Sequence, residues 1–234
     1  MLRVATLLLL LAPLLCARAE AATDAELEAA RLLAQASFGP TVADIQAVAG
    51  LGAEAWVEQQ LRLAPTLHMP LYREHDPLEG YGALQGVWLQ VAVNAPDQLR
   101  QRVAFALSEI LVVSARSDIP TEGLVTYYDI LVRGAFGNYR TLLGNVARSM
   151  AMGRYLSMYQ NRKPDAAKGI RADENFAREL MQLFTIGLVK LNPDGTPQLN
   201  AKGRTIPTYS QVTVENLARI MTGWSSGNTP SFYY

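Results

Sequence analysis

Asp173, Glu174, Asn175, Arg178, Glu179 and Gln182 fall within one short stretch, ADENFARELMQLFTIG (172–187). Carboxylates, amides and a guanidinium gathered this closely could bind a sugar or an oxyanion through charge-assisted hydrogen bonds, or move a proton as general acid or base. They could equally tie a helix to its neighbours. The stretch becomes apolar after its polar start, as an amphipathic helix does, with Phe176, Leu180, Leu183 and Phe184 as the expected core stripe. On that helix Asp173 is placed to cap, where its charge favours the positive end of the dipole. Glu174 and Arg178 stand four apart with the acid first, an arrangement worth about 0.2–0.5 kcal/mol on a surface. Asn175, Glu179 and Gln182 are left as a polar strip beside the core. That strip is expected to serve cohesion or recognition before bond-breaking, with a neighbouring helix that carries Arg102 as its natural partner. The candidate site is Glu174, Asn175, Arg178, Glu179, Gln182 and Arg102.

Catalysis asks for more than a charged strip. A glycosidase needs carboxylates about 5–9.5 Å apart across a cleft. The helix offers Glu174 or Glu179, and nothing in the sequence identifies the second acid. No G-x-S-x-G elbow, P-loop or dinucleotide fingerprint occurs, and the glycines of GAFGNYRTLLG (134–144) follow no predicted strand. No catalytic residue and no cofactor are assigned. His68 and His75 share the proline-rich segment APTLHMPLYREHDPLEG (64–80), at a spacing that matches no ligand pattern. They read as solvated loop histidines, and no metal is expected there. Asn192, Asp194 and Asn200 lack the spaced carboxylates and closing glutamate of a calcium loop.

The elements that must position these residues are helical almost throughout. Thr23–Glu26 (TDAE) is a capping box that opens a helix with Leu27, Ala30, Arg31 and Ala34 on one side. Thr41 caps a second helix that ends near Gly50–Gly52, and a third carries Trp56, Val57, Gln60 and Leu61. The longest is expected from Pro96 to Ser114, with Leu99, Val103, Ala106, Leu107, Ile110 and Leu111 as its apolar face and Arg100, Arg102 and Glu109 off it. Further helices follow, one of them capped by Asn138, and YQNRKPDAAKGIR (159–171) is a polar connector. LNPDGTP (191–197) is echoed by LNAKGRTIP (199–207), which predicts a small β-hairpin or paired turns near 188–208. A last helix should place Val214, Leu217, Ala218, Met221 and Trp224 on one face. The fold class expected is all-α: one irregular multi-helix domain over 22–225, with a tail at 226–234.

Composition sets the compartment. The 234 residues are 50% hydrophobic and 18% charged, with 21 basic and 21 acidic side chains, the balance of a globular chain without the basic stripe that nucleic acid demands. Arg3 precedes the apolar run VATLLLLLAPLLCA, and small residues follow at the spacing a signal peptidase reads, so residues 1–21 read as an export signal cut near Ala19, Glu20, Ala21 and Ala22. Pro13 interrupts the run short of a membrane span. Cys16, the one cysteine, falls within that leader, so the mature chain would have neither disulfides nor thiol chemistry.

LLAQASFGPT, LRQRVAFALSEILVVS, ENFARELMQLFTIG and YSQVTVENLARIMTGW, in this order, resemble the N-terminal half of a large bacterial family known as domain of unknown function 1800, DUF1800. The resemblance covers about residues 27–225. It implies a mostly helical, commonly exported protein with no settled activity, and a chain that stops short of the family's full length. Many members carry histidine where this chain has Phe184, a departure that removes an imidazole from the candidate helix. The combined expectation is an exported helical binding or assembly component of the bacterial envelope. Its partner would be an exported protein or the missing C-terminal half, with no nucleic acid and no membrane span in the mature chain. The alternatives are an envelope hydrolase acting on a carbohydrate or a phospho- or sulfo-ester through Glu179 or Glu174 with Arg178 and Asn175, and a non-functional fragment.

Overall fold

A computed structural model describes residues 22–76 and 80–225. The export signal expected at 1–21, with Ala19, Glu20 and Ala21 of its cleavage region, and the tail at 226–234 lie outside the described residues. The architecture is all-α. In chain order the helices are α1 (Asp24–Ala36), α2 (Val42–Leu51), α3 (Ala53–Arg62), α4 (His68–Tyr72), α5 (Tyr81–Asn94), α6 (Gln98–Ile110), α7 (Thr121–Gly134), α8 (Tyr139–Ala147), α9 (Met150–Tyr155), α10 (Asn175–Gln182) and α11 (Gln211–Ile220). Among the described residues no helix is long and apolar enough to cross a membrane.

The helices start where their caps are. Thr23 and Thr41 each close a capping box with the acid three residues on, Glu26 and Asp44. Asn138, Ser149 and Ser210 each accept a hydrogen bond from the amide three residues later. Each such cap is worth about 1 kcal/mol. The Ser149 cap also separates α8 from α9.

Helix α7 is the hub, touching α4, α5, α6, α8 and α9. Leu124, Leu131 and Val132 from α7 join Leu111, Val146, Met152, Phe176 and Phe184 in the main core. A satellite core of Ala29, Leu33, Val48 and Trp56 holds α1–α3 together, and Ala177, Met181, Val214 and Ala218 seal α10 to α11. Gly134 marks the tightest crossing among the glycines: a Cβ there would stand 2.6 Å from Leu142 Cδ1, so a larger residue would force the buried Leu142 side chain to move.

Two sequence expectations change here, and a third is narrowed. In α1 the buried face is Ala29, Leu33 and Ala36, while Leu27, Arg31 and Ala34 are exposed. In α6 the buried positions are Arg100, Gln101 and Ala104, and Ala106 and Ile110 face outward. The cause is a polar network that binds residues 63–67 to α6: Asp97 Oδ2 accepts from Thr66 N (2.9 Å) and Gln101 Nε2 (3.1 Å), and Arg100 Nη2 donates to Leu63 O (3.1 Å). Arg100 also lies 4.4 Å from the Phe136 ring centre. Of the hairpin or paired turns expected near 188–208, the structure has the paired turns, closed by isolated antiparallel bridges at Val189–Pro207, Leu191–Pro197 and Leu199–Thr205. Gly195 and Gly203 take the left-handed conformation (φ 83° and 70°) that each turn requires.

Candidate functional site

Of the polar residues around α10, Asp173, Glu174 and Arg178 are engaged, while the side chains of Asn175, Glu179 and Gln182 make no hydrogen bond among the described residues. Asp173 does not cap the first turn through the usual later amide. Its Oδ1 accepts from Asn175 N at 2.8 Å, while its backbone is gripped by Asn161, whose Oδ1 accepts from Asp173 N (2.8 Å) and whose Nδ2 donates to Asp173 O (3.0 Å). Asn161 O in turn accepts from Gly223 N (2.9 Å), and Gln160 N donates to Trp224 O (2.8 Å). The connector, the start of α10 and the Thr-Gly-Trp segment after α11 therefore meet at one buried asparagine. Gln160 adopts φ 59° at this junction, a left-handed conformation strained for a residue with a side chain.

Arg178 Nη2 donates to Glu174 Oε2 at 2.7 Å, and Gln211 Nε2 from α11 donates to the same oxygen at 2.9 Å. Leu183, expected in the core stripe, is 60% exposed because α-helical rotation ends at Gln182. Asn175 is exposed and Gln182 half-buried. Glu179 is half-buried, and its Oε2 is shielded from solvent with no hydrogen-bond partner among the described residues. Arg102 does not join the strip. Its Nε donates to Gln35 O (3.3 Å), and its guanidinium stacks over Phe38 (5.4 Å) and Phe105 (5.5 Å). Glu174 opens instead onto a concavity of about 320 Å³ with Arg171, Glu215 and Arg219. Gln211 Nε2 also reaches Glu215 Oε1 at 3.4 Å, so one amide bridges Glu174 and Glu215.

The larger cavity lies elsewhere. About 690 Å³ opens among α4, α5, α6 and α7, walled by Leu84, Trp88, Phe105, Leu111, Leu124 and Tyr127. Phe38, Trp88 and Phe105 meet edge-on or tilted, with ring centres 5.4–5.8 Å apart, and fix one wall. Its deepest polar member is His68, which is 1% exposed. The solvated-loop reading of this histidine is therefore overturned. His75 is half-buried just beyond α4, and residues 68–72 form a helix within what reads as a loop.

His68 is buried because Asp129 of α7 demands it. Asp129 Oδ1 accepts from His68 N (2.8 Å) and faces His68 Nδ1 (3.2 Å), while Oδ2 accepts from Met69 N (3.1 Å). A carboxylate supplied by α7 thus caps the first turn of α4, and the same carboxylate orients the imidazole. With Nδ1 so placed, Nε2 is the nitrogen left over. The His68 ring meets Tyr128 edge-on, with centres 4.8 Å apart. The Tyr128 hydroxyl is shielded from solvent beside the Trp88 indole. Burial raises its pKa, a hydrogen bond with the Trp88 indole opposes that, and the Glu109 charge adds to it. The Tyr127 hydroxyl donates to Leu111 O, and burial raises its pKa further.

Comparison with known proteins adds one decisive finding. The profile of the family described as "Protein of unknown function (DUF1800)" matches residues 31–234. The chain belongs to the DUF1800 family. No curated protein and no solved structure matches it. In this DUF1800 member the cavity combines a deep apolar wall with a few convergent polar groups, the usual form of a small-molecule site. Among the described residues no three His, Cys, Asp or Glu side chains gather as metal ligands.

Sequence reasoning left YGALQGVWLQVAVN (81–94) unread, and it is the helix that supplies Leu84 and Trp88 to this DUF1800 cavity. A usable signal was present: fourteen residues without a charge or proline, the mark of a helix covered on several sides. Nothing local distinguishes His68, since the acid that buries it stands 61 positions away.

Proposed function

We propose that this DUF1800 member is an exported helical binding component of the bacterial envelope, and that its ligand site is the cavity among α4–α7. One observation carries the reading: the chain maintains about 690 Å³ of largely apolar concave space walled by Leu84, Trp88, Phe105, Leu111 and Leu124. Concave, mostly apolar space of this size with a few polar groups is the usual form of a ligand site. A bound apolar molecule would cover these walls. Export is supported by the Arg3-led apolar leader and the small residues around Ala19–Ala22.

The test uses chain recovered from expressing bacteria and titrated with the neutral fluorophore N-phenyl-1-naphthylamine. N-terminal sequencing should begin at Glu20 or Ala22. The dye should bind at one saturable site, and Leu84→Trp, which fills the cavity, should weaken binding at least about tenfold, the equivalent of 1.4 kcal/mol. A chain starting at Met1 would remove the export half. Unchanged dye affinity in a folded Leu84→Trp variant would remove the cavity half.

The hydrolase reading has its own supporting observation, the approach of Glu174 and Glu215 beside Arg171 and Arg219. It ranks second because Glu174 is held by Arg178 and Gln211. Hydrolysis of a nitrophenyl glycoside or phosphate ester, abolished by Glu215→Gln, would move it to first place. Absence of turnover in the wild-type chain with both substrates would remove it.

A further inference from the structure

The charge around the cavity differs from its apolar interior in one consistent direction. Among the sixteen lining residues there is no lysine or arginine, and Glu109 is the one carboxylate. Glu109 is exposed at the rim, and no hydrogen bond or ion pair engages it among the described residues. At the floor the Asp129 carboxylate stands 3.2 Å behind His68 Nδ1. Arg102 stacks over Phe105 but does not line the cavity, and its Nε is held by Gln35 O. The lining also includes the aromatic rings of Tyr81, Trp88, Phe105, Tyr127 and Tyr128. Aromatic faces attract cations, and apolar walls lengthen the reach of an uncompensated carboxylate.

Resting on the cavity as the binding site, we propose that its ligand is a hydrophobic organic cation, with an aromatic or alkyl body among Leu84, Trp88, Phe105 and Leu124 and an ammonium head at the rim beside Glu109. The polar groups are sorted by depth. His68 and the Tyr128 hydroxyl are buried behind the apolar wall and out of a ligand's reach, so the interior is left to the ligand's body. Glu109 sits where a charged head keeps part of its hydration. An anionic amphiphile of the same shape meets Glu109 with like charge and finds no lining cation to answer its own. The exposure of Glu109 keeps the preference moderate, because water already solvates that carboxylate.

The experiment is calorimetric titration of the full chain with three probes that share a naphthylmethyl body: (2-naphthylmethyl)trimethylammonium, 2-naphthalenemethanol and 2-naphthylacetate. The ammonium should bind about five- to tenfold more tightly than the alcohol, as a partly solvated cation site allows, and the acetate most weakly. Glu109→Gln should bring the ammonium to the level of the alcohol and leave the alcohol unchanged, whereas Leu84→Trp should weaken all three. Acetate binding as tightly as the ammonium, or an ammonium affinity indifferent to Glu109→Gln, would overturn the ligand class while leaving the cavity as a binding site. Failure of all three probes to bind the wild-type chain would overturn the cavity reading itself.

Discussion

Replacing Asp129 by alanine should cost about 3–5 kcal/mol of unfolding free energy, the range for removing one partner of a buried charged network. Asp129 is 1% exposed, yet it reaches across from α7 to accept from two backbone amides and face one imidazole nitrogen of α4. Without it, His68 N and Met69 N have lost their acceptor inside the protein, and each orphaned donor carries a desolvation cost of about 1–3 kcal/mol. Helix α4 has only five residues and no cap of its own, so its hold on α7 depends on this carboxylate. Asp129→Asn keeps one acceptor oxygen and should lose less. Chemical denaturation of both variants measures the effect. A loss below about 1 kcal/mol for alanine would mean that α4 is held by apolar packing instead.

Phe176→Ala should be comparably severe, about 3–5 kcal/mol, the usual cost of emptying a buried aromatic site. Phe176 is 2% exposed and links α10 to the main core, while Ala177 and Met181 of the same helix pack on α11. Glu174→Gln should cost at most about 1 kcal/mol, since the Glu174–Arg178 pair is partly solvated and such pairs contribute little. The two substitutions therefore separate the forces on α10. Thermal and urea unfolding of each should place Phe176→Ala far below the wild type and Glu174→Gln close to it. The reverse order would make the polar strip the anchor.

The contrast between these helices shows what was legible in the sequence. Caps at Thr23, Thr41 and Asn138 were readable because each is a local bond between residues three apart. The all-α class was readable because apolar periodicity is local as well. The buried face of α6 was not, because Asp97, Arg100 and Gln101 are drawn inward by the backbone of residues 63–67, more than thirty positions away. Polar residues with distant partners look like solvent-facing residues until the partner is known. The quoted strip shows the opposite case: its density of charge drew attention, yet Glu174 and Arg178 are explained largely by each other and by Gln211. Asn175, Glu179 and Gln182 are the members without a side-chain partner among the described residues, and of them Glu179 alone has an oxygen shielded from solvent. The cavity escaped sequence reading because its walls come from α4, α5, α6 and α7 together. No single periodicity announces a space between helices.

One measurement bears most directly on the cavity as the place of binding. In isotope-labelled chain saturated with N-phenyl-1-naphthylamine, intermolecular NOEs should run from the dye to the methyl groups of Leu84, Leu111 and Leu124 and to the Trp88 ring. NOEs confined to Leu188, Leu199, Val212 and Ile220, which are exposed on and around the turns and α11, would place binding on the outer surface and contradict a ligand-filled interior.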